Sequence, residues 1–173
     1  MVKTALLSIV SIALLSSWPL GAADIYLVRH AEKETDGSKD PALTLVGSQR
    51  AADLAVLLKS ADIQRIFSTD FTRTRETAAP TAAMIGADIE IYDPKALEPF
   101  AGQLLELEIN ALVVGHSNTT PELVELMGGD GGTPIAEEWE YDRIYLVQTA
   151  GGRVIRTILL HLPPSKVPAD SEN

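Results

Sequence analysis

Short runs of strand-forming residues alternate along this chain with stretches of helical spacing. The first run, Ile25-Tyr26-Leu27-Val28, is continuously apolar, as in a parallel strand buried on both faces. The spacing then predicts a helix from Leu43 to Leu58, capped by Thr44 and striped by Leu45, Ala52, Leu54, Ala55 and Leu58. Ile66-Phe67 reads as a second strand and Thr72 to Ile85 as a second helix, ended by Gly86. Ile89 to Tyr92 and Ala111 to Val114 are a third and a fourth strand, the fourth running into Gly115-His116. A further helix starts near Thr119, either through a Thr119/Glu122 capping box or with Pro121 at its first position, and stops at Gly128-Gly129. Ile144 to Gln148 and Val154 to His161, around Ala150-Gly151-Gly152, read as a closing hairpin. The alternation predicts an α/β fold: a three-layer, doubly wound sandwich with a mostly parallel central sheet and an antiparallel closing hairpin.

The two ends read differently. Lys3, the small and aliphatic run from Ala5 to Leu15, Pro19 and Gly21-Ala22-Ala23 make residues 1–23 a signal peptide cut after Ala23. A membrane-spanning helix needs roughly 20 apolar residues, and Pro19 interrupts this run, so no stable anchor is expected after cleavage. The expected organisation is leader 1–23, one domain over 24–162 and a disordered Pro-rich tail over 163–173, with export to the periplasm or the medium.

Charge and composition narrow the partners. The chain of 173 residues carries a net charge of -10, and loss of Lys3 with the leader makes it more negative, which disfavours nucleic acid. The absence of cysteine excludes thiolate catalysis and Cys-ligated zinc. Only three histidines are present.

Two of them stand where ligands bind in such sheets, just beyond the carboxyl ends of strands: His30 after the first and His116 after the fourth. Arg29 adjoins His30, and Arg73 opens the helix after the second strand. Two guanidinium groups from different strand ends can clamp one tetrahedral anion. Cationic neighbours also hold a histidine neutral, leaving a ring nitrogen of His30 free to attack phosphorus while His116 donates to charge developing on the phosphoryl oxygens. The partner this implies is a small phosphorylated substrate, and with the positive charge supplied by Arg29, Arg73 and His116 no metal or other cofactor is expected.

These residues carry a family resemblance. Val28-Arg29-His30-Ala31-Glu32-Lys33 resembles the Arg-His-Gly opening of the histidine phosphatase superfamily, the fold of cofactor-dependent phosphoglycerate mutases and many phosphatases. Leu43-Thr44-Leu45-Val46-Gly47-Ser48-Gln49-Arg50-Ala51 resembles its Leu-Thr-x-x-Gly-x-x-x-Ala helix start. Ser68-Thr69-Asp70-Phe71-Thr72-Arg73 resembles its phosphate-binding segment, the spacing selecting Arg73 over Arg75, and Val113-Val114-Gly115-His116-Ser117 its second histidine segment. The resemblance implies a phosphohistidine formed on His30. It also implies a carboxylic acid that protonates the leaving group, for which Leu97-Glu98-Pro99 makes Glu98 the local match, with Glu34 and Glu106 as alternatives. Two departures stand out: Ala31 replaces glycine, and Asp36 stands where many members place an asparagine that donates to phosphate.

The reading that follows is a phosphomonoester phosphatase. A phosphohistidine-protein phosphatase or a mutase-like phosphotransferase is the alternative; the short Asp93–Asn110 segment leaves the pocket open to water and favours hydrolysis. A phosphate-binding module without catalysis would have the same four site residues. A serine hydrolase would use Ser117 with Asp142 and His161, but Thr119 stands where the nucleophile turn needs glycine.

Overall fold

Neighbouring residues of the central strands send their side chains to opposite faces of one sheet, and this sorting builds two cores. The computed structural model describes residues 21–166; residues 1–20, most of the expected leader, and 167–173, the end of the expected tail, lie outside the described residues. In chain order the elements are β1 (Ala22–Arg29), α1 (Leu45–Leu57) with a 3-10 turn at Leu58–Ser60, β2 (Arg65–Ser68), α2 (Thr72–Ile85), β3 (Ile89–Ile91), α3 (Leu97–Leu105), β4 (Ala111–Gly115), α4 (Thr119–Leu126), β5 (Arg143–Ala150) and β6 (Arg153–His161). The sheet order is β3-β2-β4-β1-β5-β6. The first four strands run parallel, and β5 and β6 add antiparallel to the β1 edge.

Ile25, Leu27, Phe67 and Val113 pack with Phe100, Leu104, Leu123 and Val124 beneath α3 and α4. Val28, Ile66, Leu112 and Val114 pack with Leu54, Leu58, Ala78 and Ala82 beneath α1 and α2. The strands are therefore apolar on both sides, which is why they read as continuous runs rather than alternating ones. Each helix pair covers one face, giving the doubly wound sandwich expected.

The elements differ from the sequence reading in particular places. β1 begins at Ala22, and Ala22 and Ala23, the last residues of the expected leader, pair with Ala150 and Thr149. Helix α3 occupies the segment read as a plain connection; Leu97, Phe100, Ala101 and Leu104 form its buried stripe, and Pro99 fits because it sits in the first turn, where no intrahelical N–H bond is lost. Helix α4 has no side-chain cap: Thr119 is its first residue, and its hydroxyl accepts from the His116 N–H at 3.1 Å. Of the expected tail, the described part runs back onto α1, where the Ser165 hydroxyl donates to Asp53 at 2.7 Å. Among the described residues no helix is long and apolar enough to cross a membrane.

One contact fixes α1 against the segment after β1. The Glu32 carbonyl accepts from the N–H of Thr44 at 2.9 Å, while the Glu32 carboxylate takes three bonds from the Arg50 guanidinium, at 3.0 Å and 2.8 Å from Nε and 2.5 Å from Nη2. Thr44 caps the helix by accepting from Gly47 N at 3.0 Å. A Cβ on Gly47 would lie 2.1 Å from the Glu32 carbonyl oxygen, so only glycine allows the helix to approach this closely. Gly47→Ala is expected to destabilise the domain by about 2–3 kcal/mol, seen as a fall of roughly 5–10 °C in Tm, because the clash is with backbone that cannot step aside. An unchanged Tm would show that the helix start is free to shift.

Candidate active site

The parallel pairing of β1 with β4 places Arg29 opposite Gly115, so the residues that follow, His30 and His116, emerge side by side from neighbouring strands. The N–H of His30 donates to the Gly115 carbonyl at 2.9 Å, extending the ladder by one bond. The two imidazoles meet edge to face with centroids 5.6 Å apart. Gly115 has no room for a side chain: a Cβ would lie 2.8 Å from the Tyr92 hydroxyl and 2.9 Å from that of Thr120.

His30 is only 3% exposed, and its Nδ1 lies 2.8 Å from the Ala31 carbonyl oxygen. A carbonyl oxygen can only accept, so Nδ1 carries the proton and Nε2 presents its lone pair. Burial pushes the His30 pKa down to about 3; the bond to Ala31 opposes this, and the charges of Arg29, Arg73 and His116 reinforce it. The ring is therefore a neutral imidazole at pH 7 with a defined tautomer, which is what a nitrogen nucleophile requires.

His116 is also held neutral, its pKa lowered to about 4 by burial and by Arg73 and Arg29. Its Nε2 lies 3.0 Å from the hydroxyl of Thr69, the residue following β2, and that hydroxyl is 3.0 Å from the Thr74 hydroxyl. Phe71 meets the His116 ring edge to face at 5.1 Å and lies under the Arg73 guanidinium at 4.5 Å, so one aromatic side chain positions both groups.

The two arginines are held differently. Arg29 grips the loop between α4 and β5, donating to the carbonyls of Ala136 at 3.2 Å, Glu140 at 2.9 Å and Glu137 at 2.7 Å, with Tyr141 stacked 4.0 Å below it. Its outer nitrogens are thus largely committed to the protein. Arg73 pairs with Asp40 at 3.5 Å, and Asp40 also accepts from the N–H and hydroxyl of Thr72 at the start of α2. The Nε of Arg29 and the Nε of Arg73 are both buried with no hydrogen-bond partner. An orphaned buried N–H costs about 1–3 kcal/mol, so each is a donor awaiting an acceptor, and an anion beside His30 would supply one.

Two cavities flank this centre. One, of about 390 Å³, lies beside Ser117 and is lined by Pro121, Glu122, Glu125, Ile135 and Glu137. The other, of about 450 Å³, lies beside Arg73 and is lined by Lys33, Glu34, Thr35, Ser38, Lys39 and Glu137. Glu98 is exposed in the first turn of α3 and lines neither; Glu106 caps the far end of that helix, while Glu34 borders the second cavity. Glu137, which the sequence reading did not single out, borders both, alone among the described residues. It lies in a segment without periodic pattern, held by the Arg143–Glu140 pair at 2.5 Å and by Arg143 donating to the Thr133 carbonyl at 2.6 Å. Asp36 accepts from Ser38 N at 2.9 Å within its own turn and lines neither cavity. Asp142 and His161 do pair, at 2.9 Å, but at the β6 edge, three strand spacings or about 14 Å from the strand that leads to Ser117. Among the described residues no group of three or more His, Asp and Glu side chains converges as metal ligands would.

Comparison with known proteins agrees with this geometry. The sequence pattern of the Histidine phosphatase superfamily (branch 1) matches residues 25–126. A probable phosphoglycerate mutase GpmB of Proteus mirabilis is 38% identical over 94 residues, covering 51% of this chain and 43% of its own length. The GpmB of Salmonella paratyphi A is 31% identical over 118 residues, covering 61% and 54%. The chain spans about half the length of the curated relatives it matches. Among solved structures, the protein histidine phosphatase SixA complexed with tungstate superposes with a TM-score of 0.65 at 17% identity, over 80% of this chain and 96% of that one. A mycobacterial glucosyl-3-phosphoglycerate phosphatase gives 0.62 at 14% identity, over 84% and 100%. These structural likenesses carry the fold, and the match over residues 25–126 carries the family: the chain belongs to the histidine phosphatase superfamily, branch 1.

Proposed function

We propose that the protein is a metal-independent phosphatase that hydrolyses phosphomonoesters through a phosphohistidine on His30. The observation that carries the reading is the Nδ1 bond of His30 to the Ala31 carbonyl, which leaves Nε2 unprotonated beside Arg73 and His116. In the first step the Nε2 lone pair forms a bond to phosphorus as the bond to the ester oxygen breaks, and that oxygen takes a proton. In the second, water attacks phosphorus, its proton passes to the carboxylate left by the first step, and the N–P bond breaks to release inorganic phosphate. Arg73 and the Nε of Arg29 bind the phosphoryl oxygens, and His116 donates to them as charge builds. Glu137, which borders both cavities, is the carboxylate we assign to the proton transfer in place of Glu98. The positive charge that a metal would bring is supplied by Arg29 and Arg73, His116 being held neutral.

A mutase differs only in the fate of the phosphoryl group, and the GpmB relatives favour keeping that reading as a second one. Export through the 1–23 leader, and with it a substrate outside the cytoplasm, belongs to the same proposal.

Three outcomes test the mechanism. His30→Ala should abolish hydrolysis of p-nitrophenyl phosphate, while the wild type, rapidly quenched, yields an acid-labile, base-stable phosphoramidate and works equally well in EDTA; label on Ser117, or activity restored only by a divalent ion, would overturn it. Glu137→Gln should slow hydrolysis of alkyl phosphates by about 100-fold and of p-nitrophenyl phosphate by less than about threefold, since only the poor leaving group needs the proton. The reverse pattern, with Glu98→Gln selective for alkyl phosphates, would return the role to Glu98.

The neutrality of His30 can be measured without substrate. Its folded pKa of about 3 lies below the unfolded value near 6.5, so between these pH values the unfolded chain binds more protons and stability falls as pH falls. At pH 5 this costs on the order of 2 kcal/mol. Urea unfolding of His30→Gln should lose less stability than the wild type between pH 7.5 and pH 5 by that amount. Equal losses would show that His30 titrates normally in the folded protein.

A further inference from the structure

Phe71 serves Arg73 and His116 together, and the structure repeats this pairing on the other side of the site. The Arg29 Cζ lies 4.0 Å from the centroid of the Tyr141 ring, and that ring is 6.2 Å from the His30 ring, centroid to centroid, at an interplanar angle of 54°. A side chain of this size ordinarily fills a core, yet none of the three apolar clusters includes Tyr141, and it stays partly exposed. Its mount is rigid. On one side the Glu140 N–H donates to the Ala136 carbonyl at 3.0 Å and the Glu140 carboxylate accepts from Ala136 N at 2.9 Å. On the other the Asp142 carbonyl accepts from Leu162 N at 2.8 Å.

What the ring can do follows from how Arg29 is bound. Its three carbonyl partners, Ala136, Glu140 and Glu137, take their bonds from Nη1 and Nη2 only. Those bonds pin two corners of a planar triangle. The third corner, Nε, can still swing to either side of the line joining the other two, and its N–H is the buried one without a partner. A ring face in contact with the guanidinium blocks the swing on its own side and attracts the cation to it. Arg29 is only 3% exposed, so solvent does little to screen that attraction.

We propose that Tyr141 is a positioning residue for phosphoryl transfer: its ring face fixes the tilt of the Arg29 guanidinium, so that Nε donates to the phosphoryl group as it passes to His30. This rests on the phosphatase reading and adds to it the part that keeps a transition-state donor on aim. The phenol hydroxyl takes no part. Aim matters most when phosphorus is five-coordinate and its oxygens occupy fixed positions, so the ground-state binding of phosphate depends on the ring less than the transition state does.

Steady-state kinetics and inhibition of the whole protein test this. Orthovanadate, which becomes five-coordinate beside a nucleophile, probes the transition state, and inorganic phosphate probes the ground state. Tyr141→Leu should lower kcat/KM for p-nitrophenyl phosphate by about tenfold, chiefly through kcat, and raise the vanadate inhibition constant by about the same factor, while that of phosphate changes by less than about threefold. Tyr141→Phe, which retains the ring face, should rescue all three values. A ring that merely steadied the loop would lower Tm and the folded fraction, and kcat with it, but would leave both inhibition constants where they were. In an Arg29→Lys background, where there is no guanidinium to aim, Tyr141→Leu should cost less than about twofold more. Thermal unfolding checks each variant, and Tyr141→Met is read by the same criteria if the leucine variant does not fold. A loss in Tyr141→Phe, an unchanged vanadate constant or an equal rise for phosphate and vanadate in Tyr141→Leu, or a tenfold loss that persists on Arg29→Lys would overturn the proposal while the phosphatase reading stands. A wild type without phosphatase activity would remove both.

Discussion

The bond from His30 Nδ1 to the Ala31 carbonyl sets the direction of everything else at the site. It fixes the tautomer and leaves Nε2 unprotonated, and the residue that makes it leaves β1 at the height where β4 also ends. That height follows from the register of two buried parallel strands, which their continuous apolar sequences hold from both faces. His30 is therefore placed by the hydrophobic core rather than by the loops around it.

Positive charge is the second constraint. Arg29, Arg73 and two histidines crowd one strand edge of an acidic protein, and burial makes their mutual repulsion expensive. The fold relieves this by leaving both histidines uncharged and by surrounding the arginines with oxygen: three carbonyls and a stacked phenol ring for Arg29, Asp40 for Arg73. What is left over is one buried N–H on each guanidinium with no partner among the described residues.

Much of this could be read from the sequence, for a physical reason. The strands and helices α1 and α2 follow from periodicity, and the neighbouring positions of His30 and His116 follow because a strand end in an open parallel sheet is a defined place. The structure brings His30, His116, Arg29 and Arg73 to one edge, while Glu98 lies outside both flanking cavities. Helix α3 was missed although Leu97, Phe100, Ala101 and Leu104 have helical spacing, and its Pro99 is accommodated as a first-turn residue. Glu137 and Tyr141 gave no signal at all. They sit in an irregular segment, and their position depends on main-chain oxygens meeting Arg29 from more than a hundred residues away, a contact that no local pattern encodes.

That same contact bears on how such a site can diversify. Arg29 reads the loop through carbonyl oxygens, which every amino acid possesses, and so it holds the path of residues 136–140 without regard to most of the side chains they carry. Substitutions at the exposed Glu138 or Trp139 can recast the surface of the loop while the backbone beneath it, and the histidine next to the arginine that grips it, stay where they are. The loop can thereby vary on its outer side while the same bonds keep Glu137 at its place between the two cavities.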